Sequence, residues 1–241
     1  MIHVIMPMYN EKNIRRNILE TIKSLGGLKY KIIVVDDGSK IDCISEARGV
    51  KDKRVKIVGY KQNMGKGYAL KYGFKFIKAK DDDLVAFLDS DLELHPRQIK
   101  NIVKFDKNKK EILPEEADVV IGSKKHPLSM VYYPLFRRFM SRVYQAIIKI
   151  LFDLKVRDTQ VGLKIFRYRV LKEVFPKILV KRFAFDLELL VNINKLGYKI
   201  VEVPIKLDYK FESRINPKSV FYIWLDTAAI FYRLKILRYY G

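Results

Sequence analysis

Cysteine is almost missing from this sequence: Cys43 is the only one in 241 residues. A disulfide framework and a cysteine-built zinc site within the chain are therefore excluded, and one thiol fits a reducing compartment. Long hydrophobic runs are missing too. No stretch of about 18 uncharged apolar residues occurs, so nothing reads as a membrane span. The chain opens directly into the strand-like run Met1-Ile2-His3-Val4-Ile5-Met6, without the pattern of a signal peptide. There are no internal repeats and no low-complexity linkers. With 49% hydrophobic and 12% aromatic residues, disorder is excluded and a sizeable core is expected.

Negative charge is also scarce, with 27 acidic residues against 48 basic ones and a net charge of +21. The excess is uneven. Residues 1–122 hold 24 basic and 18 acidic residues, and residues 123–241 hold 24 and 9. Such a field attracts polyanions: nucleic acid, anionic lipid headgroups or phosphorylated substrates. A lysine-rich composition kept for solubility gives the same totals. Two basic segments are rich in aromatics. Residues 128–152 mix Tyr132, Tyr133, Phe136 and Phe139 with Arg137, Arg138, Arg142 and Lys149, and residues 217–240 carry Phe221, Tyr222, Trp224 and Phe231. Both read either as in-plane helices at a membrane surface or as amphipathic helices packed on the core.

Apolar β-rich runs at Val4–Met6, Ile32–Val35, Val55–Val58, Leu84–Leu88 and Val119–Ile121 alternate with helical patterns at Lys12–Leu25, Tyr68–Ala79 and Arg97–Phe105. The first helix is closed by Gly26-Gly27. This alternation predicts an α/β fold, a mostly parallel sheet with helices on both faces. We expect one catalytic domain over 1–210, with a nucleotide-binding half at 1–122 and an acceptor half at 123–210, then a helical tail at 211–241. Functional residues should gather at the carboxyl ends of the strands.

Those ends are polar. The runs lead into Pro7-Met8-Tyr9-Asn10-Glu11, Asp36-Asp37-Gly38-Ser39, Asp89-Ser90-Asp91 and Gly122-Ser123-Lys124. Carboxylates placed directly after buried apolar runs are usually paired or metal-bound. Asp89 and Asp91 project to one side of an extended strand end and suit Mg²⁺ or Mn²⁺, which bind through one or two carboxylates plus substrate phosphates. Asp81-Asp82-Asp83 precedes a strand and reads as a solvated turn. Asn63-Met64-Gly65-Lys66-Gly67 lacks the spacing of both the P-loop and the dinucleotide fingerprint, but it sets glycines and a lysine at a helix start, where an anion is favoured.

In this order the clusters, with Val4-Ile5-Met6 and Val34-Val35 before them, resemble the inverting glycosyltransferases of family 2, with the GT-A fold. Arg157-Asp158-Thr159-Gln160-Val161-Gly162-Leu163-Lys164-Ile165-Phe166 and Phe185-Asp186-Leu187-Glu188-Leu189-Leu190 narrow the resemblance to the dolichyl-phosphate sugar synthases, and among them to the glucosyl branch. The family usually has arginine where Lys124 stands, and the mannosyl branch often has glutamine where Glu93 stands.

The resemblance implies a GT-A sheet with C-terminal amphipathic helices, a nucleotide diphosphate sugar as donor (UDP-sugar before GDP-sugar), and polyprenyl or dolichyl phosphate as acceptor. Base and ribose would be held by Pro7, Tyr9, Glu11 and Asp36, with Asp37 beside them, and Lys66 would approach the ribose or diphosphate. Asp89 and Asp91, with Glu93 as a possible third ligand, would hold the metal. Lys124, Arg137 and Arg214, with Ser141 one helical turn from Arg137, would serve the acceptor phosphate, and Gln160 is a further binding residue. Asp186 and Glu188 either contact a substrate hydroxyl or form a buried pair with a cation. The implied place is the cytoplasmic face of a membrane, bound peripherally to an anionic surface. A nucleic-acid-binding protein is the rival suggested by charge, but no RRM, KH or zinc signature accompanies it, and strand-end carboxylates repel phosphates unless a metal intervenes.

Overall fold

The computed structural model describes residues 1–105, 111–129, 135–182, 184–207 and 217–240. Four of the apolar runs form the parallel strands β1 (Ile2–Met8), β2 (Tyr30–Asp37), β3 (Val55–Tyr60) and β4 (Leu84–Phe87). β1 sits between β2 and β4, with Ile2 opposite both Tyr30 and Leu84. It is covered on both faces, so Ile2, Val4, Ile5 and Met6 have no exposed surface. Each such side chain contributes about 1.5–3 kcal/mol of burial.

The rest of the described chain comprises helices α1 (Ile14–Ser24), α2 (Cys43–Arg48), α3 (Lys66–Phe74) and α4 (Arg97–Ile102), a small hairpin of β5 (Lys104–Phe105) and β6 (Glu111–Ile112), and β7 (Val119–Ser123). Then follow α5 (Leu135–Phe152), β8 (Lys164–Arg167), α6 (Tyr168–Val174), α7 (Phe185–Lys195), β9 (Ile200–Pro204) and α8 (Pro217–Phe231), which runs on into a π-helical turn at Tyr232–Ile236. The main sheet has the order β3-β2-β1-β4-β8-β7-β9. It is mostly parallel, as expected, with one exception. β8 runs antiparallel between β4 and β7.

That exception positions the site. Lys164, at the start of β8, lies opposite Phe87 at the end of β4 and opposite Ile121 on β7. The segment 158–163 therefore arrives at the same sheet edge where β1, β2, β4 and β7 finish. Parallel neighbours could not bring a strand entrance there.

Helix boundaries differ modestly from expectation. α3 begins two residues early, at Lys66, and stops at Phe74. α4 stops at Ile102 because Val103 is extended (ψ 127°) and leads into β5. The turn Asp81–Asp83 is solvated as expected, with the Asp81 side chain 66% exposed, and it also forms surface ion pairs. Asp83 accepts from the Met1 ammonium at 2.9 Å, and Asp82 lies 3.3 Å from Arg169.

The segment after residue 217 docks on the domain rather than trailing from it. Tyr144 of α5 hydrogen-bonds Thr227 of α8 at 3.1 Å and meets the Trp224 ring edge-on at 5.3 Å. Tyr240 is buried, and its hydroxyl donates to Glu188 on α7. Among the described residues no helix is long and apolar enough to cross a membrane.

Candidate active site at the carboxyl edge of the sheet

The ends of β1 and β2 are stitched together by their own polar residues. Ser39 N–H donates to Asp36 at 3.1 Å, Asn10 N–H donates to Ser39 Oγ at 2.9 Å, and Lys40 N–H donates to Asn10 Oδ1 at 2.8 Å. Asn10 takes a left-handed conformation (φ 53°), which turns the chain after β1. Glu11 is buried and receives the Asn13 amide at 3.1 Å. Tyr9 stays 40% exposed, so its ring is available to a ligand. Pro7, half-buried, stands opposite Val35 on β2.

Asp37 does a different job from the ligand contact expected of it. Its carboxylate accepts from Tyr60 Oη (2.8 Å), Asn63 Nδ2 (3.0 Å), Met64 N (2.7 Å) and Gly65 N (2.9 Å). Those donors fill it, and they fix the loop that carries Lys66. Burial and the Asp37 carboxylate together push the Tyr60 hydroxyl well above its usual pKa, so it remains a donor.

The fixed loop delivers Lys66 at the start of α3. Its Nζ lies 2.5 Å from Asp89 Oδ1, with both side chains about one-third exposed. Burial alone would lower the lysine, but the Asp89 and Asp186 carboxylates outweigh it and raise its pKa. Burial would likewise raise Asp89, and the Lys66 ammonium reverses that and keeps it ionised. Two glycines make this approach possible. A Cβ on Gly67 would meet the Phe185 ring at 2.4 Å, and one on Gly162 would meet Asp89 Oδ2 at 2.1 Å.

Asp91 is exposed and accepts the Glu93 amide at 3.2 Å. Glu93 is turned towards Lys124, with Oε1 3.1 Å from its ammonium. Among the described residues no cluster of three or more histidine, cysteine, aspartate or glutamate side chains is arranged for a metal. The expected three-carboxylate shell of Asp89, Asp91 and Glu93 is therefore not assembled, because Glu93 pairs with the nearer cation. The Asp89–Asp91 pair still fits a hard divalent ion. Both are oxygen donors, one is open to solvent, and the other already holds a cation at one oxygen.

On the far side, Lys124 N–H donates to Asp158 at 3.0 Å, and Asp158 also receives the Gln160 amide at 3.2 Å. Gln160 and Ser141 are at least partly exposed, and the Ser141 carbonyl accepts from Lys125 at 2.9 Å. Arg137 rides on α5, but its side chain lies outside the described part, and Arg214 lies outside the described residues altogether.

Asp186 follows the second of its two expected readings. It is 5% exposed and pairs with Lys164, itself 1% exposed, at 2.8 Å. Lys164 also donates to the Val161 carbonyl. Glu188 likewise serves structure. It takes the amides of Leu179 (2.9 Å) and Val180 (2.7 Å) as well as Tyr240, and it lies 3.3 Å from Arg233.

Lys164 and Gly162 were not singled out from the sequence. The available signal was a lysine inside the apolar run Val161–Phe166, where a buried charge needs a partner. The edge thus combines a prearranged ligand loop, two alternating ion pairs, Lys66–Asp89 and Lys164–Asp186, and an open carboxylate beside a basic flank. It can bind a polyanion through cations and a metal together.

The family description "Glycosyl transferase family 2" matches residues 3–175. The chain is similar to an uncharacterised protein of Methanocaldococcus jannaschii, 32% identical over 212 residues, covering 86% of this chain and 82% of that one. It is also similar to dolichyl-phosphate beta-glucosyltransferase of Drosophila melanogaster, 28% identical over 239 residues, covering 92% of this chain and 71% of that protein. Among solved structures, glucosyl-3-phosphoglycerate synthase of Mycobacterium tuberculosis with Mn²⁺, UDP and phosphoglyceric acid superposes with a TM-score of 0.70 at 19% identity, over 100% of this chain and 78% of that one. The same enzyme with Mn²⁺, UDP-glucose and glycerol 3-phosphate gives 0.68 at 18% identity, over 96% and 79%. At such identities the likeness is one of fold, and that fold is GT-A.

Proposed function

The chain belongs to glycosyl transferase family 2 and is a glycosyltransferase using a nucleotide sugar; from that premise we propose that it moves glucose from UDP-glucose, with inversion, onto a polyprenyl phosphate of the dolichyl type at the cytoplasmic face of a membrane. The observation that carries this reading is the carboxyl edge itself. There a fixed loop, the Lys66–Asp89 pair and exposed Asp91 face a flank bearing Lys124. The similarity to a dolichyl-phosphate beta-glucosyltransferase supports the glucosyl donor and the lipid acceptor.

Tyr9, Pro7, Asp36 and Glu11 would hold base and ribose, and Asp37 acts one step back by holding loop 63–65. A divalent ion, Mg²⁺ or Mn²⁺, held by Asp89 and Asp91 would neutralise charge on the departing diphosphate. Lys124, Arg137, Ser141, Gln160 and Arg214 collect the acceptor phosphate. That phosphate is mostly ionised at neutral pH, with a second pKa of about 6, so it attacks without a general base. The basic groups need only hold two anions in contact, which is electrostatic positioning. Asp186 keeps Lys164 in place at the start of β8.

The exposed aromatic face of α8 favours a lipid acceptor over a soluble one. The test is incubation with labelled UDP-glucose, GDP-mannose or UDP-N-acetylglucosamine, a polyprenyl phosphate or phosphoglyceric acid, and Mn²⁺ or Mg²⁺. Label from UDP-glucose should enter the organic phase. Label retained only on phosphoglyceric acid would replace the lipid reading, and transfer from GDP-mannose alone would replace the donor.

A further inference from the structure

Two ion pairs lie at the carboxyl edge, and they differ in one respect. Lys164–Asp186 is sealed, with side chains 1% and 8% exposed, whereas Lys66–Asp89 is open, with side chains 35% and 37% exposed. Breaking a sealed pair leaves an uncompensated buried charge. An open pair can be exchanged, because water and ligands reach both partners. The open pair is also the one that matters for ligands. The Lys66 ammonium occupies Asp89 Oδ1 at 2.5 Å, while Oδ2 is pressed against Gly162. Any cation that uses Asp89 as a ligand must therefore contend with Lys66.

We propose that Lys66 is an exchangeable place-holder: it leaves Asp89 when a divalent cation and a nucleoside diphosphate arrive together, and its ammonium moves onto the diphosphate. This rests on the glycosyltransferase reading above and adds to it an order of binding. The metal alone gains Asp89 only by taking Lys66 out of its ion pair and leaving it to the Asp186 and Asp91 carboxylates nearby, one of which the metal itself needs. With the diphosphate present, Lys66 exchanges one anion for another, and the metal meets a carboxylate and phosphate oxygens at once. The two ligands should then bind with strong positive coupling, equal in both directions. The surroundings suit a moving lysine on a fixed base. Asp37 pins the preceding loop through the Met64 and Gly65 amides, and Gly67 is locked against Phe185, so the side chain of Lys66 moves and its backbone does not.

The test uses the full chain, wild type and Lys66→Met, with Lys66→Gln as a second variant and thermal melts to verify folding. Mn²⁺ binding is titrated by electron paramagnetic resonance, without nucleotide and with saturating UDP. Without nucleotide, both variants should bind Mn²⁺ about fivefold more tightly than wild type, the factor that about 1 kcal/mol represents. UDP should tighten Mn²⁺ binding at least tenfold in wild type and distinctly less in the variants. If folded variants bind Mn²⁺ alone no better than wild type, while wild type binds Mn²⁺ with UDP, the exchange is wrong and the metal site stands. If wild type binds no Mn²⁺ even with UDP, the metal reading itself fails and the exchange falls with it.

Discussion

Gly162 and Asp89 touch so closely that no side chain fits between them: a Cβ at position 162 would lie 2.1 Å from Asp89 Oδ2. The contact is possible only because β8 runs antiparallel beside β4 and brings segment 158–163 to the strand end. Gly162→Ala should therefore displace the Asp89 carboxylate while leaving the core intact. A displacement of about 1 Å costs roughly 10²-fold in rate, so we expect a loss of that order with a melting temperature close to wild type. Unchanged activity would mean that the exact place of Asp89 is immaterial.

The sealed pair makes a contrasting prediction. Lys164→Met leaves Asp186 buried and unpaired, which costs about 3–5 kcal/mol. The double variant Lys164→Met/Asp186→Leu removes both charges and should recover most of that stability. Denaturant unfolding of the two variants and wild type checks this. Equal destabilisation by the single and double changes would show that packing, not charge, sets the cost.

Much of this edge was legible in the sequence, and the reason is physical. The inner parallel strands carry the apolar runs Val4–Met6, Ile32–Val35 and Leu84–Leu88, because both their faces are buried, and each run passes directly into a polar cluster. The boundaries at Met6-Pro7, Val35-Asp36 and Leu88-Asp89, where apolar runs give way to polar clusters, therefore mark the strand ends at which the candidate site gathers. The parts that stayed hidden depend on contacts distant in the chain. β8 carries Lys164 in an otherwise apolar run, and only the antiparallel pairing brings Asp186 to it. α7 is buried from Phe185 to Ile193, yet Asp186 and Glu188 give it the look of a surface helix. Asp37 resembles a ligand contact until the loop 63–65 folds over it, and Glu93 resembles a metal ligand until Lys124 comes within reach.

Acid stability tests a residue remote from the site. His3 is buried, its Nε2 has no hydrogen-bond partner, and its pKa falls from 6.5 to about 4. Burial is the main cause; Lys31 and the N-terminal ammonium act the same way, and Asp83 opposes them. Between those values the unfolded chain binds a proton that the folded chain refuses. Stability should thus rise with pH across this window and be lost on acidification, by roughly 3 kcal/mol at most. Asp83 titrates from an ordinary value of 3.8, so its loss comes below the window. Unfolding of wild type and His3→Leu at pH 4 to 7 should show a gap that widens only between pH 4 and 6.5. A constant gap would rule out histidine protonation.

The last prediction concerns the outer face of α8 and the turn beyond it. Phe221 is 60% exposed and Ile236 is 62% exposed, and Tyr222, Leu225, Tyr232, Leu237 and Tyr239 join them on the surface. The inner face of the same helix is occupied, through Thr227, Ile230 and the Tyr144 contact, so the outer residues are not core that failed to pack. An apolar surface of this extent in a chain of net charge +21 matches an anionic bilayer, where aromatics enter the interface and Lys235 and Arg238 meet headgroups. The proposed acceptor gives the reason for such a surface. A polyprenyl chain leaves the bilayer at about 0.8 kcal/mol per CH₂, so the enzyme must come to the lipid. Each nearby Lys or Arg adds about 1 kcal/mol at an anionic surface, enough for reversible docking when combined with a few apolar side chains. Phe221→Asp/Leu225→Asp changes two exposed residues one turn apart, so the fold and the UDP-induced thermal shift should persist. Flotation with phosphatidylserine-containing vesicles should be lost, along with transfer to polyprenyl phosphate in vesicles, while wild-type flotation should fall as salt rises. A double variant that still floats would assign docking to α5, where Arg137→Glu/Arg138→Glu/Arg142→Glu would then be the change that abolishes it.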